Sequence, residues 1–301
     1  MTPSHDPIDR ELRQILAETD LLDRRARWRI DGALSGGYRS SHRGAGVEFD
    51  EVREYVPGDD PRSVDWNVTA RVGWPFVKKY VDERELTIIL VVDVSDSMDD
   101  GAGAWSSRQI VARVAATLGL AAARNGDAIG LVAFADEVRS FVPPARGRRH
   151  VLRLVRDCLA VRAPESASSI SGALDWLVTV PKRRCAVLLL SDFLLPLDST
   201  ELARAARKHD VAACHVVSRD VPLPRVGLVR VRDSESGTVR LDDWSDERRR
   251  VAAERAILAG RNRSLQTLNG AGIDTLSIES PIEPDPESIR RPVLEFLRTR
   301  S

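Results

Sequence analysis

The sequence predicts an α/β protein with a doubly wound, mostly parallel sheet and a small N-terminal appendage of helix and short strands. From residue 86 onward, short apolar runs such as "LTIILVVDV" and "CAVLLLSDF" alternate with helical patterns. Continuous apolar runs are typical of strands covered on both faces, and strand–helix alternation is typical of doubly wound sheets. The chain has 301 residues, 43% of them hydrophobic, which suffices for a large core.

The N-terminal part divides into a helix and a turn-rich segment. Apolar side chains recur at helical spacing over residues 6–34, so an amphipathic helix is predicted within residues 1–34. The segment 35–85 follows, in which "VEFDEVREYV" and "PFVKKYV" indicate short strands on either side of the turn-forming stretch "PGDDPR".

The alternating part predicts a domain over residues 86–280 and a C-terminal helix within 281–301. Further strands are expected at "AIGLVAFAD", "SFVPP", "VAACHVVS" and "IDTLSI", and "VGLVRVRD" with "TVRL" predicts a hairpin. Helices are expected at 110–124, 147–160, 170–180, 199–209 and 244–269.

Composition excludes several classes of protein. Lys and Arg number 45 and so do Asp and Glu, which is not the basic bias of a nucleic-acid-binding domain. Cys158, Cys185 and Cys214 form no C-x-x-C motif, and the last two lie in apolar runs, as expected of buried thiols in a reducing compartment. The N-terminus has no signal-peptide core, and no apolar run is long enough to span a membrane. We therefore expect a soluble, cytoplasmic protein.

Polar residues follow two of the predicted buried strands. Asp93, Ser95 and Ser97 follow "IILVV", and Asp192 follows "VLLLS". Ligands of open α/β sheets bind at the carboxyl ends of strands, and side chains at i, i+2 and i+4 of an extended loop can converge. Carboxylates and hydroxyls are hard oxygen donors that suit Mg²⁺ or Mn²⁺ rather than zinc. Alternatively, the first loop caps the next helix.

Enzymatic chemistry is the main competing hypothesis. A serine nucleophile at Ser95 or Ser97 needs a base, and His215 is the one histidine in a predicted core strand, where we expect its hydrogen bonds to be satisfied. No G-x-S-x-G elbow or Walker-type loop is present, so ATP hydrolysis is not expected. Asp93 resembles the phosphoryl acceptor of haloacid-dehalogenase-like enzymes, but Ser95 stands where they carry the general acid. A Mg²⁺- or Mn²⁺-dependent hydrolase or phosphatase, and a scaffold with a vestigial site, stay open as alternatives.

The stretch "DVSDSM" resembles the D-x-S-x-S signature of the von Willebrand factor A-type fold, where it forms the first loop of the metal-ion-dependent adhesion site. "NGDAIGLVAFAD" is similar to that family's second strand. The resemblance implies that Ser168 in "ASSISGAL", at a position where the family has Thr, and Asp192 in "LLLSDF" complete the site. It further implies that Ser95 and Ser97 ligate Mg²⁺ directly and Asp192 through water, with Asp93 also placed to act through water. The open position would take a Glu or Asp from a partner.

The upstream segment carries a second resemblance. "GVEFDEVREYVPGDDPRSVDWNVTARVG", followed by "VKKYVDERE", closely resembles the signature of a bacterial family catalogued as domain of unknown function 58, which places it before an A-type domain. The resemblance implies a MoxR-type AAA+ ATPase as partner. It also implies a non-enzymatic adaptor or co-chaperone role for this chain.

The signature segment itself has two interpretations. Its charged residues would form ion pairs and turn caps, with Phe49 and Trp66 as packing anchors, or the segment is a contact surface for a partner. The residues concerned are Asp59, Asp60, Arg62, Asp65 and Trp66.

Overall fold

The computed structural model describes residues 6–25, 47–57, 59, 61–82, 86–101, 103–163, 169–194, 197–217, 223–232 and 238–300. The chain divides into two compact units, one formed by Met1–Gly36 with Leu86–Ser301 and the other by Gly37–Glu85.

The helices and strands follow one another as the sequence predicts, with one helix added. In chain order they are α1 (Pro7–Arg25), β1 (Val47–Glu54), α2 (Trp66–Val72), β2 (Phe76–Asp82), β3 (Thr87–Asp93), α3 (Ser107–Asn125), β4 (Ala128–Phe134), β5 (Val138–Ala145), α4 (Arg148–Ala160), α5 (Ser171–Thr179), β6 (Ala186–Ser191), α6 (Ser199–Lys208), β7 (Asp210–Val217), β8 (Leu228–Arg232), β9 (Val239–Asp243), α7 (Glu247–Gly270), β10 (Asp274–Glu279) and α8 (Glu287–Thr299).

The larger unit is built on a six-stranded sheet with the order β10-β7-β6-β3-β4-β5. All neighbouring strands are parallel except the edge strand β5, which is antiparallel to β4. Side chains of α1, α3, α4 and α8 pack on one face of the sheet, and side chains of α5, α6 and α7 pack on the other. The predicted doubly wound, mostly parallel α/β fold is therefore confirmed.

Helix α3 lies behind the central strand β3 and is nearly all buried, because its Ala, Val and Ile side chains pack in the core. A capping box begins it, in which the Ser106 hydroxyl accepts from the Gln109 N–H while the Gln109 side chain accepts from the Ser106 N–H. Gly126, with φ of 77°, ends it in the left-handed conformation that favours glycine. The amino end of α3 is thereby fixed next to the carboxyl end of β3.

The smaller unit contains β1 and β2, which pair antiparallel as predicted. The helix α2 was not predicted. Asp65 caps it by accepting from the N–H groups of Asn67 and Val68, and Gly73 ends it with φ of 83°. None of its residues is buried.

Two further predictions concern the N-terminal helix and the hairpin. The N-terminal helix spans Pro7–Arg25, and the remainder of the predicted 1–34 helix lies outside the described residues. Strands β8 and β9 form the predicted antiparallel hairpin, a separate two-stranded sheet. Within the described part of the chain, no helix is both long enough and apolar enough to cross a membrane.

Candidate metal centre

Four of the five predicted donor residues, Asp93, Ser95, Ser97 and Asp192, lie at the carboxyl edge of the central sheet. Strands β3 and β6 are parallel neighbours, and the pairing of Val92 with Leu190 sets the last residue of β3, Asp93, beside Ser191. The loops that follow these strands carry the remaining candidates. The register of the two strands thus brings the loop after β3 and the loop after β6 together.

The loop after β3 turns its oxygen atoms toward one another. Asp93 Oδ1 accepts from the Ser95 N–H at 2.9 Å and from the Ser95 hydroxyl at 2.6 Å. The hydroxyls of Ser95 and Ser97 are 3.1 Å apart. Exposed fractions are 1% for Asp93, 0% for Ser95 and 5% for Ser97, so the three side chains form a buried oxygen cluster.

The loop after β6 adds two residues. The Ser191 hydroxyl donates to Asp93 Oδ2 at 2.7 Å and accepts from the Phe193 N–H at 2.9 Å. Asp192 is 7% exposed, and one of its carboxylate oxygens accepts from the Leu194 N–H at 3.2 Å. Ser191 therefore links the two loops directly, a role that the sequence analysis did not assign to it.

The electrostatic state of Asp93 is set mainly by burial. Removal from water raises the pKa of the Asp93 carboxyl above its ordinary value, while hydrogen bonds from Ser95 and Ser191 and the positive charge of Arg108 lower it in part. Without a cation, the ionised carboxylate is less favourable here than it is in water. A nearby divalent cation would favour it.

Arg108, in the first turn of α3, closes the cluster from the side of the protein interior. Its guanidinium is 3% exposed and donates to the backbone carbonyls of Val94 and Ser95 at 3.2 and 3.3 Å. It also forms an ion pair with Asp99, at 2.5 Å from Nε to Oδ1.

The oxygen cluster fits a magnesium ion in chemistry and in spacing. Octahedral ligands about 2.1 Å from Mg²⁺ lie about 3.0 Å from their neighbours. The Ser95 and Ser97 hydroxyls are 3.1 Å apart, the spacing of two direct ligands, whereas the 2.6 Å between Asp93 Oδ1 and the Ser95 hydroxyl is a hydrogen bond. Among the described residues, no group of three or more His, Cys, Asp or Glu side chains is placed to hold a metal ion.

Ser168, the predicted donor of the second loop, lies outside the described residues. Its neighbour Ser169 is described, and the Ser169 N–H donates to the carbonyl of Ala135 at 2.7 Å. Ala135 directly follows β4, the other neighbour of β3. The chain next to Ser168 therefore reaches the same edge of the sheet.

The histidines do not support a serine nucleophile. In the described hydrogen bonds, the Ser95 and Ser97 hydroxyls meet only Asp93 and each other. His215, which we expected to have satisfied hydrogen bonds, is 2% exposed; neither ring nitrogen meets a partner at full hydrogen-bond geometry in the described part of the chain, and a weaker contact with the Asp192 backbone only partly offsets the effect of burial on its pKa. Burial lowers its pKa to about 4, so the ring is neutral.

Two of the described signature residues have structural roles within the smaller unit. Asp59 forms a two-point ion pair with Arg53, which helps to hold the pKa of the Asp59 carboxyl low, and Asp65 caps α2. Trp66 is 72% exposed, and its expected role as a packing anchor stays a prediction. Asp60 and the side chains of Arg62 and Phe49 lie outside the described set.

Comparison with known proteins adds a family match. The model of the family described as "Protein of unknown function DUF58" matches residues 51–263. The uncharacterized proteins Mb1516 of Mycobacterium bovis and Rv1480 of Mycobacterium tuberculosis are each 34% identical over 274 residues, covering 89% of this chain and 85% of theirs.

Solved structures give weaker matches. The conserved hypothetical protein BatB from Bacteroides thetaiotaomicron is 13% identical with a TM-score of 0.44, covering 71% of this chain and 98% of its own. The SpRpn10 VWA domain is 11% identical with a TM-score of 0.38, covering 70% of this chain and 94% of its own.

Proposed function

The chain belongs to the DUF58 family of proteins of unknown function, and we propose that it is a non-enzymatic protein-interaction module that holds a divalent cation at the carboxyl edge of its sheet. Asp93, Ser95, Ser97 and Asp192, with Ser168 from the second loop, would hold Mg²⁺ or Mn²⁺. The cation would supply a positive charge that attracts a Glu or Asp side chain of a protein partner.

The observation that carries this proposal is the buried oxygen cluster of Asp93, Ser95 and Ser97. Buried polar groups are costly unless they are paired, and here the oxygens of two loops pair with one another at the carboxyl edge of the sheet, where open α/β sheets bind their ligands. Two of the three side chains are neutral hydroxyls. A divalent cation held largely by neutral oxygens keeps much of its charge for an outside anion, which is the property that an adhesion site requires.

A non-enzymatic role follows from what surrounds the hydroxyls. Nucleophilic catalysis needs a general base within hydrogen-bond reach. Among the described contacts, the Ser95 hydroxyl donates to Asp93, and Ser97 contacts Ser95. This geometry orients lone pairs for binding and offers no base other than a carboxylate that the cation itself would engage.

The partner that the family resemblance implies is a MoxR-type AAA+ ATPase, for which this chain would be an adaptor or co-chaperone. Support for this partner comes from the signature segment and from a site that suits an acidic side chain. A purified MoxR-type ATPase from the same host should bind the chain with Mg²⁺ and should dissociate in EDTA.

Isothermal calorimetry with Mg²⁺ and Mn²⁺ tests the cation site. We expect a single binding event in the wild type and a dissociation constant at least about 10-fold higher in Ser97→Ala. The matched control is Ser288→Ala, which deletes a hydroxyl that donates to the Asp285 carbonyl beside α8. The absence of heat in the wild type would refute the cation site and favour a vestigial scaffold.

A phosphatase assay separates the adaptor from the enzyme. Hydrolysis of p-nitrophenyl phosphate in the presence of Mg²⁺ or Mn²⁺ should stay at the level of buffer. Turnover that disappears in Asp93→Ala would overturn the non-enzymatic proposal while leaving the cation site in place.

A further inference from the structure

Arg108 is a buried cation in the first turn of α3, a helix whose buried residues are mostly apolar. It is 3% exposed, and most of its neighbours on α3 are Ala, Val, Ile and Leu side chains in the core. A buried charge is strongly unfavourable unless hydrogen bonds and an opposite charge compensate it. The contacts of Arg108 therefore indicate what the residue is there to hold.

The guanidinium makes contacts on three sides. It donates to the carbonyls of Val94 and Ser95 in the oxygen-cluster loop, and to both carboxylate oxygens of Asp99 at 2.5 and 3.2 Å. On the third side it donates to the carbonyl of Val161 at 2.9 Å, just beyond the end of α4. One side chain thus ties the loop after β3 to α3 and to the chain that follows α4.

The contact with Val94 reaches the candidate donors through one peptide group. Arg108 holds the carbonyl of Val94, and the N–H at the other end of that peptide, on Ser95, donates to Asp93 Oδ1 at 2.9 Å. The next carbonyl, that of Ser95, is held by Arg108 as well. The backbone on both sides of the Ser95 side chain is therefore fixed, which directs its hydroxyl toward Asp93 and Ser97.

We propose that Arg108 is a positioning residue for the cation site, which sets the Ser95 and Asp93 oxygens in a binding geometry before any cation arrives. This inference rests on the proposed function for the identity of the bound ion. Groups that orient metal ligands without touching the metal contribute about 10- to 100-fold to metal affinity. The planar fork of Arg serves several acceptors at once, which the single ammonium of Lys does not match.

The competing role for Arg108 is purely structural, and Arg113 offers a matched control. Arg113 is on the same helix, is 4% exposed and pairs with Glu11 and Glu18 of α1. It also contacts the Trp105 ring at 3.9 Å. Its described contacts include none of the candidate donors, so Arg113→Met removes a buried guanidinium without touching the loop.

The experiment compares Arg108→Met, Arg108→Lys and Arg113→Met in the full chain. Mg²⁺ affinity is measured by calorimetry, and unfolding stability is measured in urea with EDTA. We expect all three variants to be less stable than the wild type. The dissociation constant for Mg²⁺ should rise about 10- to 100-fold in both Arg108 variants. In Arg113→Met it should change by less than about 2-fold. Equal affinities in the Arg108 variants and Arg113→Met would overturn the proposal.

Hydrogen exchange of the Ser95 amide, followed in EDTA, gives a second readout. The exchange should accelerate in Arg108→Lys, relative to the amides of β3, and stay unchanged in Arg113→Met. If the wild type binds no Mg²⁺, the proposed function fails, and the exchange of Ser95 still decides whether Arg108 positions the loop. Unchanged exchange in a folded Arg108→Lys protein would refute the positioning role.

Discussion

The carboxylate of Asp93 should lower the stability of the metal-free protein. Its replacement by an amide should therefore leave the protein folded but unable to gain stability from a cation. Asp93 is 1% exposed, and burial raises the pKa of its carboxyl. We expect Asp93→Asn to be at least as stable as the wild type in EDTA, and to lose the stabilisation that Mg²⁺ gives to the wild type.

The expected magnitude comes from three hydrogen bonds, two from Ser95 and one from Ser191. An amide oxygen at the Oδ1 position keeps both bonds from Ser95 as neutral ones, while the NH2 group at the Oδ2 position donates to the Ser191 hydroxyl instead of accepting from it. A hydrogen bond to a charged group contributes about 1.5–3 kcal/mol and one to a neutral group about 0.5–1.5 kcal/mol, so the set weakens by about 3 kcal/mol. Desolvation of a buried ion costs several kcal/mol, which we expect to be the larger effect because burial is the main cause that raises the Asp93 pKa.

Asp93→Ala should behave differently because it removes the acceptors. The Ser95 N–H and the Ser191 hydroxyl would lose their partner, at about 1–3 kcal/mol for each buried group. Asp93→Ala should therefore be at least about 2 kcal/mol less stable than Asp93→Asn. Neither variant should respond to Mg²⁺.

The assay is urea unfolding of the three proteins, in EDTA and at a Mg²⁺ concentration about 100 times the dissociation constant. The wild type should gain about 2.7 kcal/mol with Mg²⁺. In EDTA, the free energy of unfolding of Asp93→Asn relative to the wild type should increase as pH rises from the ordinary carboxyl pKa of 3.8 through the raised one. The reason is that native Asp93 holds its proton more tightly than the unfolded chain does, so removal of that proton destabilises the native wild type. A metal-free Asp93→Asn protein clearly less stable than the wild type would refute this reasoning.

Three further predictions concern the fold around the site. His215 has a pKa lowered to about 4, so it resists protonation in the native state. Between pH 6.5 and 4, the free energy of unfolding of the wild type should therefore fall by about 3 kcal/mol relative to that of His215→Phe. Urea midpoints of the two proteins that stay parallel over this pH range would contradict the prediction. A Cβ on Gly119 would lie 2.6 Å from Val151 Cγ1, so Gly119→Ala should lower the free energy of unfolding by about 1–3 kcal/mol. The double variant with Val151→Ala should recover part of that loss, and strictly additive losses would argue against the clash. Asp65→Ala should remove the cap of α2 and lower the free energy of unfolding by about 1 kcal/mol, whereas Asp65→Ser should retain most of the stability. Hydrogen exchange along α2 should become faster in the Ala variant alone.

The strands of the central sheet were predictable because a strand that is buried on both faces consists of consecutive apolar residues. The run "IILVV" became the central strand β3, every residue of which from Ile88 to Asp93 is buried. Strand β5 was predicted too short, and its antiparallel direction was not predicted. Its Pro143 and Pro144 lack the N–H that a central strand would need, which fits the edge position.

The candidate donors were predicted, whereas the residues that hold them were not. A D-x-S-x-S loop can be identified from its own letters, but the partner of Asp93 on β6, Ser191, depends on the register of two strands distant in sequence. For Arg108 a local signal existed. Arg108 is followed by the apolar run of α3, which makes its burial a reasonable prediction, although Arg124 at the end of the same helix is exposed. A buried guanidinium must have acceptors nearby.

Helix α2 was missed because its signals are local and short. Asp65 and Gly73 are ordinary start and stop residues, but between them there is no apolar periodicity, and none of the helix's residues is buried. The first residue of this short helix, Trp66, is 72% exposed.

The use of hydroxyls beside Asp93 has a physical reason that links the fold to the proposed function. The Ser95 oxygen lies 2.6 Å from Asp93 Oδ1 and donates to it. A second carboxylate at that distance would repel the first and raise its pKa further, in a site where burial already disfavours the charge. A hydroxyl instead satisfies the carboxylate with its proton and keeps lone pairs for a cation, so no hydrogen bond need break for binding. The same arrangement fits the contacts of Arg108, which binds the backbone carbonyls beside the candidate donors and the carboxylate of Asp99 but none of the donor side chains: a guanidinium on those oxygens would compete with the cation.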